Sequence, residues 1–263
     1  MNATVTIHNC RVFNNTATFG GGLYLFNYAG VSTLINSTVS SNTAFDGGGL
    51  YLFEGSAGGR GAVLSGNTVI SNTANRGGGG LNLLANNATL INNIVADNRA
   101  DGAGSGLSIY GSSPRLLHNT IARNTGGDNT GVYVAGGGYG GYSTVILTNT
   151  ILVSHTVGIS VTGGSTVTIN DILWYNTPIT VSQATTATVT VQNQHTGDPA
   201  FAPDGYHLTL GSAAIGKGVD AGVTTDIDGD SRPAPAGTHP DLGADEVSQQ
   251  RVYLPLITRN YQP

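Results

Sequence analysis

Apolar and polar residues alternate in short bursts along most of this chain, and the bursts recur. Phe13-Asn-Asn-Thr-Ala-Thr-Phe-Gly-Gly-Gly-Leu-Tyr-Leu25 returns as Ser40-Ser-Asn-Thr-Ala-Phe-Asp-Gly-Gly-Gly-Leu-Tyr-Leu52, and again over 70–83. Looser copies follow at 96–109, 122–134, 153–161 and 174–181. Within each burst the order apolar, polar or aromatic, apolar has the period of a strand with one buried face. No stretch places apolar residues three and four apart over the length of a helix, which argues against an α/β alternation. A unit of about 26 residues repeating this often predicts a stacked array, each turn burying its apolar face against its neighbours.

The repeats align in columns. Asn15, Asn42, Asn72, Asn98, Asn124, His155 and Asn176 form one; six positions earlier stand Asn9, Asn36, Gly66, Asn92, His118, Asn149 and Asn170. Between them runs an unbroken apolar column, Val12, Val39, Val69, Val95, Ile121, Leu152 and Leu173. The Leu-Tyr-Leu element adds two more, Leu23 to Ile179 and Leu25 to Val181. Short strands separated by Gly and Asn corners predict a parallel β-solenoid of about seven turns over 1–195, with turns roughly 4.8 Å apart. Identical side chains then stack: aliphatic columns inside, and both Asn columns as amide ladders in which His118 and His155 replace an amide. Gly47 to Gly49 and their equivalents make the bend, glycine supplying positive φ where the chain turns sharply.

These residues resemble the right-handed parallel β-helix proteins, a pectate-lyase-like fold, and in particular the repeats of polymorphic outer-membrane proteins. The resemblance covers 1–195. Residues 196–263 differ in character, holding nine of the fifteen acids and seven of the nine prolines. Asp226-Ile-Asp-Gly-Asp-Ser-Arg232 and Asp241-Leu-Gly-Ala-Asp-Glu246 resemble the choice-of-anchor cap of secreted bacterial proteins. That resemblance implies an irregular C-terminal cap over 196–246, a sorting or anchoring tail over 247–263, and a place outside the cell or on its surface. The whole is thus expected to be an all-β, right-handed parallel β-helix with such a cap closing its last turn.

Composition narrows the function. Charged residues are only 10% and the net charge is −5, which argues against a phosphate-backbone binder and so against nucleic acid as a partner. No apolar run approaches the roughly 20 residues of a membrane-spanning helix. Cys10 has no internal partner. Ala3-Thr-Val-Thr-Ile7 is a repeat strand already under way, so the chain reads as a piece of a longer precursor. Left uncapped, its first turn would be open to end-to-end association, and the precursor is expected to supply earlier turns or a cap.

Four features carry candidate chemistry. Tyr24, Tyr51, Asn82, Ser108 and Tyr133 share the outward column, and a strip of aromatic and hydroxyl or amide groups suits a polysaccharide or cell-surface glycan. Tyr51 stands out as the residue free to meet a ligand, and the Gly136–Tyr142 insertion lies beside the strip. Asp226, Asp228 and Asp230 have the 1-3-5 spacing of a calcium loop, although Gly229 is displaced and no Glu follows; a turn neutralised by Arg232 is the alternative. The repeat acids Asp46, Glu54, Asp97, Asp101, Asp128 and Asp171 lie off the strip. Asp97 and Arg123 occupy one column position on adjacent turns and predict a surface ion pair. Gly211 to Lys217 mimics a phosphate loop but lacks the following Ser/Thr. The expected function is a non-catalytic adhesive, ligand-binding or structural module. The alternative is a polysaccharide lyase or glycoside hydrolase of the same fold.

Overall fold

The computed structural model describes residues 4–27, 30–54, 61–137 and 141–248. These contain twenty-five strands and no helix, and no helix long and apolar enough to cross a membrane. The strands pair in parallel from one turn to the next in sheets of fourteen, seven and four strands. The chain is a β-solenoid.

The register reproduces most of the predicted columns. Val12, Val39, Val69, Val95, Ile121 and Leu152 pair in succession, and so do Leu50, Leu81, Leu107, Val132 and Ile159. Leu34, Leu64, Leu90, Leu116, Leu147 and Ile169 form a third buried stack. Full burial of such a side chain is worth roughly 1.5–3 kcal/mol, so the core is a set of aliphatic ladders along the axis. The last turns depart from the sequence alignment. Leu152 pairs with Trp174 rather than Leu173, and Ile159 with Val181 rather than Ile179. Trp174 fills the interior, its ring lying where a Cβ on Gly158 would be, and Leu173 faces outward.

One of the two Asn columns is the predicted ladder. Asn42, Asn72 and Asn98 each donate Nδ2 to the next asparagine Oδ1 at 3.0 Å and to a strand carbonyl, such as Val39 O at 3.0 Å from Asn72. Their Oδ1 atoms also accept a backbone N–H, so these buried amides are satisfied. The other column does different work. Asn9, Asn36, Asn92, His118 and Asn149 have φ of 46–54°, and its next member is Asp171, φ 59°, rather than Asn170. This is the left-handed region that Asn tolerates best among residues with a Cβ. The second amide ladder lies one residue later, through Ser37, Asn67, Asn93 and Asn119. A third corner stacks Asn86, Ser112, Ser143 and Ser165.

The glycine bend also has two jobs. Gly47 has φ +65°, but Gly48 is required by close approach: a Cβ there would lie 2.5 Å from the carbonyl oxygens of both Gly79 and Thr73.

The C-terminal segment packs along the flank of the solenoid. Leu208, Ala214, Leu242 and Ala244 cover the outward residues Ile94, Ala96, Ala122, Ile151, Val153 and Leu173. Ala244 N–H donates to Thr120 Oγ1 at 3.0 Å, and Asn92 Nδ2 to Thr225 O at 2.7 Å. The segment has little regular structure, so carboxylates take the place of sheet partners. Asp226 accepts the N–H groups of Asp228, Asp230 and Glu246. Glu246 accepts those of Ala234 and Asp241. Buried Arg232 donates to Asp241 O and Ala244 O and lies 3.6 Å from Glu246. The tail 249–263 lies outside the described residues, as do Gly138, Tyr139 and Gly140 of the Gly136–Tyr142 insertion.

Candidate functional site

The outward column of the seven-stranded sheet is continuous: Tyr24, Tyr51, Asn82, Ser108, Tyr133, Ser160 and Ser182 pair across successive turns. Outward does not mean open. Tyr24 is 48% exposed, but Tyr51 is 7%, Asn82 3% and Ser108 0%. Phe19 lies against Tyr51 with ring centroids 5.1 Å apart, and Tyr24 meets the same ring edge-on at 5.3 Å. Tyr51 is therefore the covered centre of an aromatic cluster, rather than a ring standing free in solvent.

Beside it lies a cavity of about 270 Å³ lined by Tyr51, Arg76, Asn82, Leu84, Tyr110 and Gly137. Two of the five strip residues enter it. Arg76, Leu84 and Tyr110 belong to it without having been expected. Arg76 donates Nε to Asp46 Oδ1 at 2.8 Å, its Nη2 engages the other oxygen, and its guanidinium lies 5.1 Å over Phe45. The strand after the Asn corner carries both partners on adjacent turns, and a register shift that sets Asp46 opposite Gly77 leaves it within reach of Arg76. Burial, and then the Asp46 charge, push the Tyr51 hydroxyl up to about 12, so it stays protonated and can donate a hydrogen bond.

Unused polar groups lie at and behind this cavity. Ser108 Oγ is buried with no hydrogen-bond partner among the described residues. The nearly buried Asn82 amide likewise takes none from them. Buried polar groups left unmatched are costly and point to a ligand or to water.

The remaining repeat acids do not converge. Asp97 and Arg123 form the expected ion pair at 2.9 Å, Asp101 pairs with Arg99, and Asp128 accepts Thr130 N–H. Glu54 is buried beside the backbone N–H groups of Asn87 and Gly61, and burial outweighs them and raises its pKa. In the C-terminal segment the calcium-loop acids do not point to one centre. Asp226 is taken up by backbone N–H groups, Asp230 is exposed, and Asp228 lies 3.2 Å from His207 Nε2.

Residues 1–173 match the family model described as the right-handed beta helix region. The chain belongs to the right-handed β-helix family. Searches of curated proteins and of solved structures found no match. In this β-helix a partial signal for Arg76 and Tyr110 was present in the sequence: Arg76 precedes a Gly corner, and Tyr110 ends the strand that carries Ser108.

Proposed function

We propose that this β-helix protein works at the cell surface or outside the cell as a non-catalytic adhesive or glycan-binding module. The observation that supports this most is the concave site on the seven-stranded sheet. Tyr110 offers an aromatic face and the covered Tyr51 a protonated hydroxyl, Arg76 a cation, and Asn82 unused hydrogen-bonding capacity, the mixture that suits a sugar ring with its hydroxyls or a uronate. The outside location rests on the resemblance of the C-terminal segment to anchor caps.

Calorimetry with neutral and acidic oligosaccharides tests the reading. Arg76→Ala or Asn82→Leu is expected to weaken binding at least about tenfold, the size of one or two lost polar contacts. Binding that neither variant changes would overturn it. Arg76 and Tyr51 line the pocket and Asp46 is buried behind Arg76, acid and base types close together, which is the ground for a lyase or glycoside hydrolase as the second reading. Release of unsaturated or reducing ends on incubation with the same polysaccharides would select that reading.

End-to-end association remains part of the proposal. The first-turn strands Val5–His8, Arg11–Phe13, Thr16–Phe19 and Leu23–Asn27 each pair on one side only among the described residues. Light scattering across a dilution series should show concentration-dependent oligomers; a monomer throughout would remove this part.

A further inference from the structure

His207 sits among three carboxylates drawn from different parts of the C-terminal segment. Asp204 accepts the N–H groups of Tyr206 and His207 at 3.0 and 3.2 Å and also engages His207 Nδ1. The other ring nitrogen, Nε2, lies 3.2 Å from Asp228 Oδ2. That contact lacks hydrogen-bond geometry, and Nε2 is shut off from solvent without a partner. Asp245 is 7% exposed and takes one backbone N–H, from Leu208, at 2.6 Å. One ligand atom from each of His207, Asp228 and Asp245 falls within 4.8 Å of the other two. A buried carboxylate and an idle imidazole nitrogen thus face the same small space.

We propose that His207, Asp228 and Asp245 bind one divalent transition-metal ion, with zinc as the best match. One nitrogen and two carboxylate oxygens are donors that zinc accepts, with bonds of about 2.0–2.2 Å. Tetrahedral ligands at such distances lie roughly 3.3 Å apart, which the His207–Asp228 pair already meets. Asp228 has a largely exposed side chain and is free to rotate toward Asp245. The carboxylate of Asp204 on Nδ1 fixes the ring and raises its basicity, as partners behind metal-bound histidines do. His207 and Asp228 also line a cleft of about 300 Å³ against Asn36, Ser37, Thr38, Gly66 and Thr68 of the solenoid. A fourth ligand position would open there. The ion would join three separate stretches of the segment and hold them against the solenoid flank.

Burial works against the imidazolium, but Asp204, Asp228 and Asp245 outweigh it and hold the His207 pKa above its usual value. The site differs from the Asp226–Asp228–Asp230 loop, with which it shares Asp228 alone.

The test is calorimetric titration of the chelator-treated full chain with zinc chloride and, separately, calcium chloride, alongside thermal melts. One zinc per chain and a zinc-dependent rise in Tm are expected. Both should weaken at least about tenfold in Asp228→Asn and in His207→Gln. Asp228 is exposed, so its variant should fold normally, and its metal-free melt checks that. Cys10→Ser should bind as the parent does. No saturable zinc uptake, uptake indifferent to Asp228→Asn, or uptake lost in Cys10→Ser would each overturn the proposal. Calcium binding abolished by Asp230→Asn, without zinc binding, would overturn it in favour of the sequence loop.

Discussion

Asn124 donates its backbone N–H to Nε2 of His155 across 3.3 Å. The imidazole thereby ends a ladder whose other rungs are asparagine oxygens, and it is buried with Nδ1 unpartnered among the described residues. Burial, and then the charge of Arg123, hold its pKa down at about 3. Burial, and then Arg232, do the same to His118. The unfolded-state value is about 6.5. Each neutral histidine therefore contributes stability that is fully present above about pH 6.5 and is lost as pH falls toward 3. By about pH 4.5 the loss is on the order of 2–3 kcal/mol per histidine. Melts of His155→Asn against the parent should show the variant at least as stable at pH 7.5 and less sensitive to acid. Identical slopes would contradict the assignment.

Gly48→Ala should destabilise by roughly 2–3 kcal/mol, because its Cβ would meet two backbone oxygens that cannot move without breaking the turn spacing. Gly222→Ala, where nothing lies near the added carbon, is the comparison for its positive φ alone. Urea unfolding of the two distinguishes crowding from dihedral strain.

Leu173→Asp should free the C-terminal segment while leaving the solenoid folded, because Leu173 packs against that segment and its neighbour Trp174 packs in the interior. Limited proteolysis should then cut between 200 and 247 first. Trp174→Ala should cost about 3–5 kcal/mol and lower the melting of the whole. Equal proteolytic patterns in the two variants would contradict the assigned directions.

Ser108→Ala removes a buried hydroxyl that has no partner among the described residues. It should raise stability by about 1 kcal/mol and, if the hydroxyl serves the ligand, weaken oligosaccharide binding. Paired melts and calorimetry read both effects. A drop in stability would mean that the hydroxyl is satisfied after all.

Arg232→Met should destabilise by about 3–5 kcal/mol, since Glu246 would be left buried 3.6 Å from an uncharged group. Arg232→Met with Glu246→Gln should recover part of that loss. A double variant no better than the single would show that the carbonyl contacts to Asp241 and Ala244, rather than the ion pair, carry the stability.

The sequence by itself determined the stacking. Residues one turn apart are direct neighbours, so selection for packing writes the same residue type into each turn, and the period exposes the interior leucines and the Asn42–Asn124 ladder. It did not separate ladder from corner. Asn serves equally as a stacked amide at Asn72 and as a left-handed corner at Asn92, and only the backbone dihedral tells them apart. Nor did it show that Tyr51 is covered, because a period-2 pattern says which face a side chain takes but not what crosses that face. The tertiary structure decided where the C-terminal segment goes. Its contacts join residues more than a hundred positions apart, such as Ala244 with Thr120, beyond the reach of any turn-to-turn repeat. One trace was legible: Thr38-Val-Ser40 gives way to Ile94-Val-Ala96 and Ile151-Leu-Val153, apolar on both faces. A strand of that kind is covered on both sides, and in this protein the second cover is the flank-bound segment.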